Sequence, residues 1–111
     1  MAYDDELADR IRALLATDHD VVEKKMFGGL AFLIGGNMSV SASGQGGMLL
    51  RCDPDETEEL VQDPHADRFV MRGRAMSGWL RVEAEGVETD DDLRRWVGVG
   101  VAYARSLPAK P

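Results

Sequence analysis

The chain has 111 residues, of which 44% are hydrophobic and 30% charged, as expected for one globular domain covering residues 1–111. It has a formal charge of −7, an acidic N-terminus without an apolar run, and a single cysteine, Cys52. These features exclude an internal disulfide and argue against a signal peptide or a membrane span, so we expect a cytoplasmic protein.

The first half of the chain predicts one helix followed by a β-meander. Residues 4–16 form an amphipathic helix whose apolar positions share one face: Leu7, Ile11, Leu14 and Leu15. Residues 21–26 are a short β-favouring run, and Gly28-Gly29 then predict a bulge or bend. Three strands follow, Leu30–Ile34, residues 38–43 and residues 48–52, separated by glycine turns. The first of them is apolar on both faces and therefore covered, whereas Ser39, Ser41 and Ser43 mark a solvent-facing side of the second.

The second half predicts two helices around a hairpin. Asp53 can cap a helix with Pro54 at its first position, and this helix should end near Gln62. Residues 68–72 and 79–84 predict strands joined by a loop over residues 73–78. Thr89 opens a last helix whose core positions are Leu93, Trp96, Val97, Val101 and Ala104. The order α-β3-α-β2-α predicts a two-layer α+β fold, with a mainly antiparallel five-stranded sheet and three helices on one face.

The charges are segregated along the chain. Residues 53–67 hold seven acids and no base, while six of the thirteen bases lie in or beside the strand segments: Lys24, Lys25, Arg51, Arg72, Arg74 and Arg81. Arg72 and Arg74 flank Gly73, where backbone N–H groups could help to hold an anion. We therefore take Lys24, Arg72 and Arg74 as a candidate site for an acidic group of a partner protein or small ligand. The alternative is that these arginines pair with the acids of residues 53–67.

Other chemistry finds little support in the sequence. His19, His65 and Cys52 have no metal-ligand spacing, so no metal site is predicted. Cys52 ends a predicted strand beside Asp53, a negative neighbour that should raise the thiol pKa, which favours a buried, inert thiol. The glycine runs match no phosphate-binding loop, and no serine lies in a nucleophile elbow. We expect a non-enzymatic protein without a cofactor.

Three blocks of sequence resemble a known family. They are residues 26–32 (MFGGLAF), residues 73–79 (GRAMSGW), and Trp96-Val97 together with residues 103–110 (YARSLPAK). In this order and spacing they resemble the N-terminal domain of the TfoX (Sxy) competence-regulator family, in a stand-alone single-domain version. The resemblance implies a two-layer fold of the secretion-chaperone-like kind, and it does not by itself carry over a role in competence.

Three functions remain open at this point. The first is a protein-interaction or regulatory module, self-associating as a homodimer or binding another protein. The second is a binder of a small anion or nucleotide through the basic strand segments. The third is an accessory nucleic-acid-binding or transcription-regulatory protein, which the acidic net charge opposes because duplex DNA repels an acidic chain.

Overall fold

A computed structural model of the protein describes residues 4–17, 20–26, 28–44, 46–71 and 73–109, which form an antiparallel sheet with helices on one face. The helices are α1 (Asp5–Leu14), α2 (Thr57–Leu60) and α3 (Asp90–Ser106), with 3₁₀ turns at Pro54–Glu56 and Ala84–Val87. The strands are β1 (Val21–Met26), β2 (Gly29–Ile34), β3 (Asn37–Ala42), β4 (Met48–Arg51), β5 (Ala66–Met71) and β6 (Arg74–Val82). They lie in the order β1-β2-β3-β4-β6-β5. The α+β class is thus confirmed, and no helix of these segments is long and apolar enough to cross a membrane.

The sheet has six strands, so the predicted number of five was wrong. The difference is β1, which pairs with β2 from Val21 opposite Ile34 to Met26 opposite Gly29. Most of its side chains are exposed, so its sequence lacks the apolar alternation of a half-buried strand. Strand β2 is buried, however, and its backbone groups need partners on both sides. Pairing with β1 therefore makes residues 21–26 an edge strand.

The predicted loop over residues 73–78 was also wrong, because most of it belongs to β6. Met71 lies opposite Arg74, so β5 and β6 form a tight hairpin. Gly73, with a φ of 76°, provides the left-handed backbone conformation that this turn needs. The longer β6 carries the sheet beyond the predicted start at residue 79.

The main hydrophobic core lies between the sheet and the helices. Trp96 and Leu93 are each 1% exposed and Val97 is 3% exposed, which confirms the predicted packing of the last helix. The predicted caps of the helical segments are also confirmed, since Asp53 accepts a hydrogen bond from the Asp55 N–H and Thr89 from the Asp92 N–H. Local capping and a continuous apolar face thus fix where α3 begins and which side it buries.

The serines of β3 do not face solvent, contrary to the prediction. Ser39 and Ser41 are fully buried and Ser43 is 4% exposed. The β2–β3 register skips Ser39, whose hydroxyl donates to the Phe32 carbonyl oxygen at 2.8 Å. Because β3 is a central strand, it has neighbours on both sides, and Ser41 lies directly opposite Ala31 of β2 and Leu49 of β4.

The Gly28-Gly29 pair meets two backbone requirements: Gly28 has a positive φ of 76°, and no side chain fits at Gly29, as predicted. A Cβ on Gly29 would lie 2.0 Å from the Ala42 carbonyl oxygen, so only glycine allows β2 to begin this close to β3.

A candidate partner-binding face

The face of the sheet opposite the helices carries a second, smaller apolar cluster. Three of its residues are buried and four are partly buried around them: Ala31, Met38 and Leu49, and then Met26, Leu33, Phe69 and Trp79. We call this group the open-face cluster. All seven residues lie on strands, whereas α1, α2 and α3 contribute to the other core. In the described part of the chain, the cluster is therefore shielded by its own side chains and not by a helix.

Charged residues share this face, and the strand register identifies them. Lys24 lies opposite Ala31, and Arg81 lies opposite both Leu49 and Asp67. Directly opposite residues of paired strands project from the same face. The apolar cluster thus has basic neighbours on a chain that is acidic overall.

Arg51 connects this face to the helical layer. It lies opposite Trp79 on β6, and its guanidinium carbon is 5.1 Å from the centre of the Trp79 ring. The same carbon is 5.4 Å from the centre of the Tyr103 ring on α3. These are cation–π distances, so the guanidinium lies close to two aromatic rings. Arg51 helps to position Trp79, which is only partly buried.

Arg81 has a structural role in the turn between β3 and β4. Its guanidinium donates to the Ser43 hydroxyl at 3.0 Å and to the Gly46 carbonyl oxygen at 2.8 Å. Beside it, a shallow surface concavity of about 500 Å³ extends over β5 and β6. Its lining is mixed polar and apolar: Asp67, Arg68, Phe69, Val70, Ala75 and Arg81. The concavity meets the open-face cluster at Phe69.

The structure does not bring the predicted anion-site residues together on neighbouring strands. Lys24 is on the edge strand β1 and Arg74 begins β6, so four inter-strand spacings separate their strands, roughly 19 Å along the sheet. Arg72 lies outside the described residues. Lys24 and Arg74 are both exposed, and neither has an ion-pair partner among the residues described. Anion binding by these residues stays a prediction.

Internal pairing with the acids of residues 53–67 occurs elsewhere in the molecule. Arg68 of β5 pairs with Glu58 of α2, and Arg95 of α3 pairs with Asp63 at 3.0 Å. Pairs of this kind account for part of the basic surface.

Cys52 is buried, as predicted. The thiol is fully shielded from solvent, and burial raises its pKa, an effect that a contact with the Thr57 hydroxyl at 3.7 Å opposes. A shielded thiol with a raised pKa is a poor nucleophile and metal ligand.

Sequence reasoning missed one polar cluster. The Nδ1 atom of His65 lies 2.7 Å from a carboxylate oxygen of Glu83, and Glu85 brings a further carboxylate to the same place. His65 and Glu83 are 18 residues apart, and only the pairing of β5 with β6 makes them neighbours. No local spacing could have revealed this group.

The fold and this face together define a small two-layer α+β domain whose sheet presents an apolar, partly basic surface opposite its helices. The sequence matches the TfoX N-terminal domain family over residues 13–104, which is most of the chain. The protein therefore belongs to the TfoX N-terminal domain family, as its three sequence blocks indicated. Comparison with curated proteins and with solved structures gave no match.

Proposed function

We propose that this domain is a non-enzymatic interaction module that binds an acidic, partly apolar segment of a protein partner on its open sheet face. The observation that carries the proposal is the open-face cluster, which leaves Phe69 and Trp79 partly exposed on a face that none of the described helices covers. Aromatic residues and arginine are enriched at the centres of protein interfaces. Membership of a family that includes regulators is consistent with such a role.

The charge of the face favours an acidic partner. Lys24, Arg51 and Arg81 lie on this face by strand register, against Asp67 as an acid. These bases contrast with the net charge of −7 that the whole chain carries. Complementary potentials speed association and select the partner. A partner segment that alternates acidic and apolar residues would match both features.

Two features support the absence of catalysis. The single thiol, Cys52, is buried and its pKa is raised. The open groove beside α3, of about 490 Å³, is lined by Asp53, Glu56, Arg95, Gly98, Val99, Ala102, Tyr103 and Ser106, and its one aliphatic hydroxyl, that of Ser106, donates to the Tyr103 carbonyl oxygen at 2.6 Å. Neither feature offers an activated nucleophile.

The two tryptophans provide a direct test. Trp96 is buried and Trp79 is partly exposed on the open face, so a ligand bound there should change the fluorescence of Trp79. Peptides of alternating Glu and Leu would be titrated against peptides of alternating Lys and Leu, with ¹⁵N amide shifts recorded in parallel. We expect the acidic peptide to bind and to shift amides of β2, β4 and β6.

Matched variants locate the binding. Phe69→Ala removes an aromatic ring from the open face, and Val99→Ala shortens a partly buried apolar side chain of α3, which packs against the other core. Weaker binding of the acidic peptide by the first variant alone supports the proposal. Equal binding of both peptides, or amide shifts confined to the helices, would contradict it.

The homodimer expected from the sequence is a further proposal for the same face. A symmetric contact would bring the bases of two copies together, which weakens electrostatic complementarity. Light scattering over a range of protein concentrations shows whether a second copy of the chain occupies this face or whether it stays free for an acidic partner. A dimer that Phe69→Ala dissociates would identify a second copy as the occupant and would replace the acidic partner.

The small-anion alternative is supported by the exposure of Arg74. It has no ion-pair partner among the described residues, so Arg74→Ala should change the free energy of unfolding by less than about 0.5 kcal/mol. Titration with inorganic phosphate tests the site: binding that the variant loses supports it. If Arg74→Ala melts well below the wild type and binds phosphate as tightly as the wild type does, an anion site at Arg74 is excluded.

A further inference from the structure

His65, Glu83 and Glu85 form a group of potential metal ligands, and none of the three belongs to the open-face cluster. One donor atom from each residue lies within 4.8 Å of the other two. His65 is partly buried and the two glutamates are exposed. The group therefore combines one imidazole with two carboxylates at a surface that a dissolved ion can reach.

The backbone holds the three residues at this spacing. The Glu83 N–H donates to the His65 carbonyl oxygen at 3.0 Å, which extends the β5–β6 pairing by one step. The chain then turns, and the Gly86 N–H donates to the Glu83 carbonyl oxygen at 2.9 Å. A Cβ on Gly86 would lie 2.5 Å from the His65 Cβ, so glycine permits the close approach that brings Glu85 beside the histidine.

We propose that His65, Glu83 and Glu85 bind a divalent first-row transition cation, of which Zn²⁺ is the representative. Zn²⁺ binds histidine nitrogen and carboxylate oxygen at about 2.0–2.2 Å, so neighbouring ligand atoms are about 3.0–3.5 Å apart. The three donor atoms lie within 4.8 Å of one another, and both glutamates are exposed, so their side chains are free to rotate toward a bound ion. Water would complete the coordination.

The choice of cation follows from the donor set. Carboxylates alone would suit Ca²⁺ or Mg²⁺, whereas an imidazole nitrogen favours zinc and its neighbours. Nδ1 of His65 lies 2.7 Å from Glu83, and the cation takes the place of the hydrogen-bonding proton between them.

The surrounding charges are favourable to a cation. Besides Glu83 and Glu85, Asp63 lies close to His65 and accepts a hydrogen bond from its backbone N–H at 2.9 Å. Arg95 pairs with Asp63 at 3.0 Å and offsets part of this potential.

Calorimetric titration of the untagged chain with Zn²⁺ tests the site. His65→Gln removes the nitrogen ligand, and Glu85→Gln removes one carboxylate while keeping the His65–Glu83 hydrogen bond. Glu88→Gln is the matched control, since Glu88 is an exposed acid that lies outside the cluster. Circular dichroism in EDTA establishes that each variant is folded before metal is added.

We expect one Zn²⁺ per chain, at least about tenfold weaker binding by His65→Gln and by Glu85→Gln, and unchanged binding by Glu88→Gln. No saturable binding by the wild type in millimolar Zn²⁺ would overturn the proposal. Equal Zn²⁺ affinity of the wild type and all three variants would show that the ion binds elsewhere, and it would overturn the proposal as well. The proposal would also be overturned if Ca²⁺ bound with the same affinity as Zn²⁺ and if His65→Gln left that affinity unchanged. Such a result would indicate a cation held by surface carboxylates without a histidine ligand.

Discussion

Two glycines of α3 provide a sharp test of how closely this helix lies on the sheet. A Cβ on Gly100 would be 2.4 Å from the Ser39 carbonyl oxygen and 2.7 Å from the Val40 Cγ1 atom. A Cβ on Gly98 would meet no heavy atom of the described structure within 4 Å. The two positions share a helix, and they differ in whether a methyl group fits.

The two substitutions to alanine should change the free energy of unfolding in opposite directions. In the middle of a helix, alanine is favoured over glycine by about 1 kcal/mol, so Gly98→Ala should raise the free energy of unfolding by about that amount. Gly100→Ala gains the same propensity but forces a methyl group against the β3 backbone, at a cost of about 1–3 kcal/mol. The net effect is a loss of up to about 2 kcal/mol, so the two variants should differ by about 1–3 kcal/mol.

Urea unfolding followed by far-UV circular dichroism measures both values, with equal m-values as the check that both variants unfold from a similar native state. A Gly100→Ala protein as stable as Gly98→Ala would refute the close approach of α3 to β3. Destabilisation of both variants to the same extent would likewise show that packing at Gly100 is not the cause.

Three further predictions concern the thiol, a surface ion pair and nucleic acid. Cys52 should react with a thiol reagent such as DTNB only as fast as the protein unfolds, because burial shields the sulfur and raises its pKa; rapid labelling of the folded chain would contradict this. Glu23 accepts two hydrogen bonds from Arg12 at 2.6 and 2.7 Å, which lower its pKa. Its contribution to stability is therefore present above its unfolded-state pKa and is lost as the pH falls through its lower folded-state pKa. The stability difference between wild type and Glu23→Gln should shrink when urea unfolding is repeated from about pH 7 to about pH 3, and a constant difference would show that the ion pair is not its source. Anisotropy titrations at physiological salt should show no tight duplex DNA binding, since the chain carries −7; specific submicromolar binding would exclude this expectation.

Local features of the sequence determined much of the fold. Apolar periodicity placed α1, and together with the Thr89 cap it placed α3 and identified Trp96 as a core residue, because these signals act within a few residues of chain. The Gly28-Gly29 bend followed in the same way, from the steric demands of a short segment. Such features can be read without knowing which strands pair.

Pairing between strands that are distant in sequence determined the rest of the fold and the positions of the candidate site residues. Residues 21–26 became a strand because buried β2 needed a partner, and the serines of β3 became buried because that strand is central. The same topology separates Lys24 from Arg74 and brings His65 beside Glu83, 18 residues away. Charge and residue type were visible in the sequence, but the distance between two side chains depends on hydrogen bonds formed between distant segments. The candidate sites were therefore fixed by the tertiary structure alone.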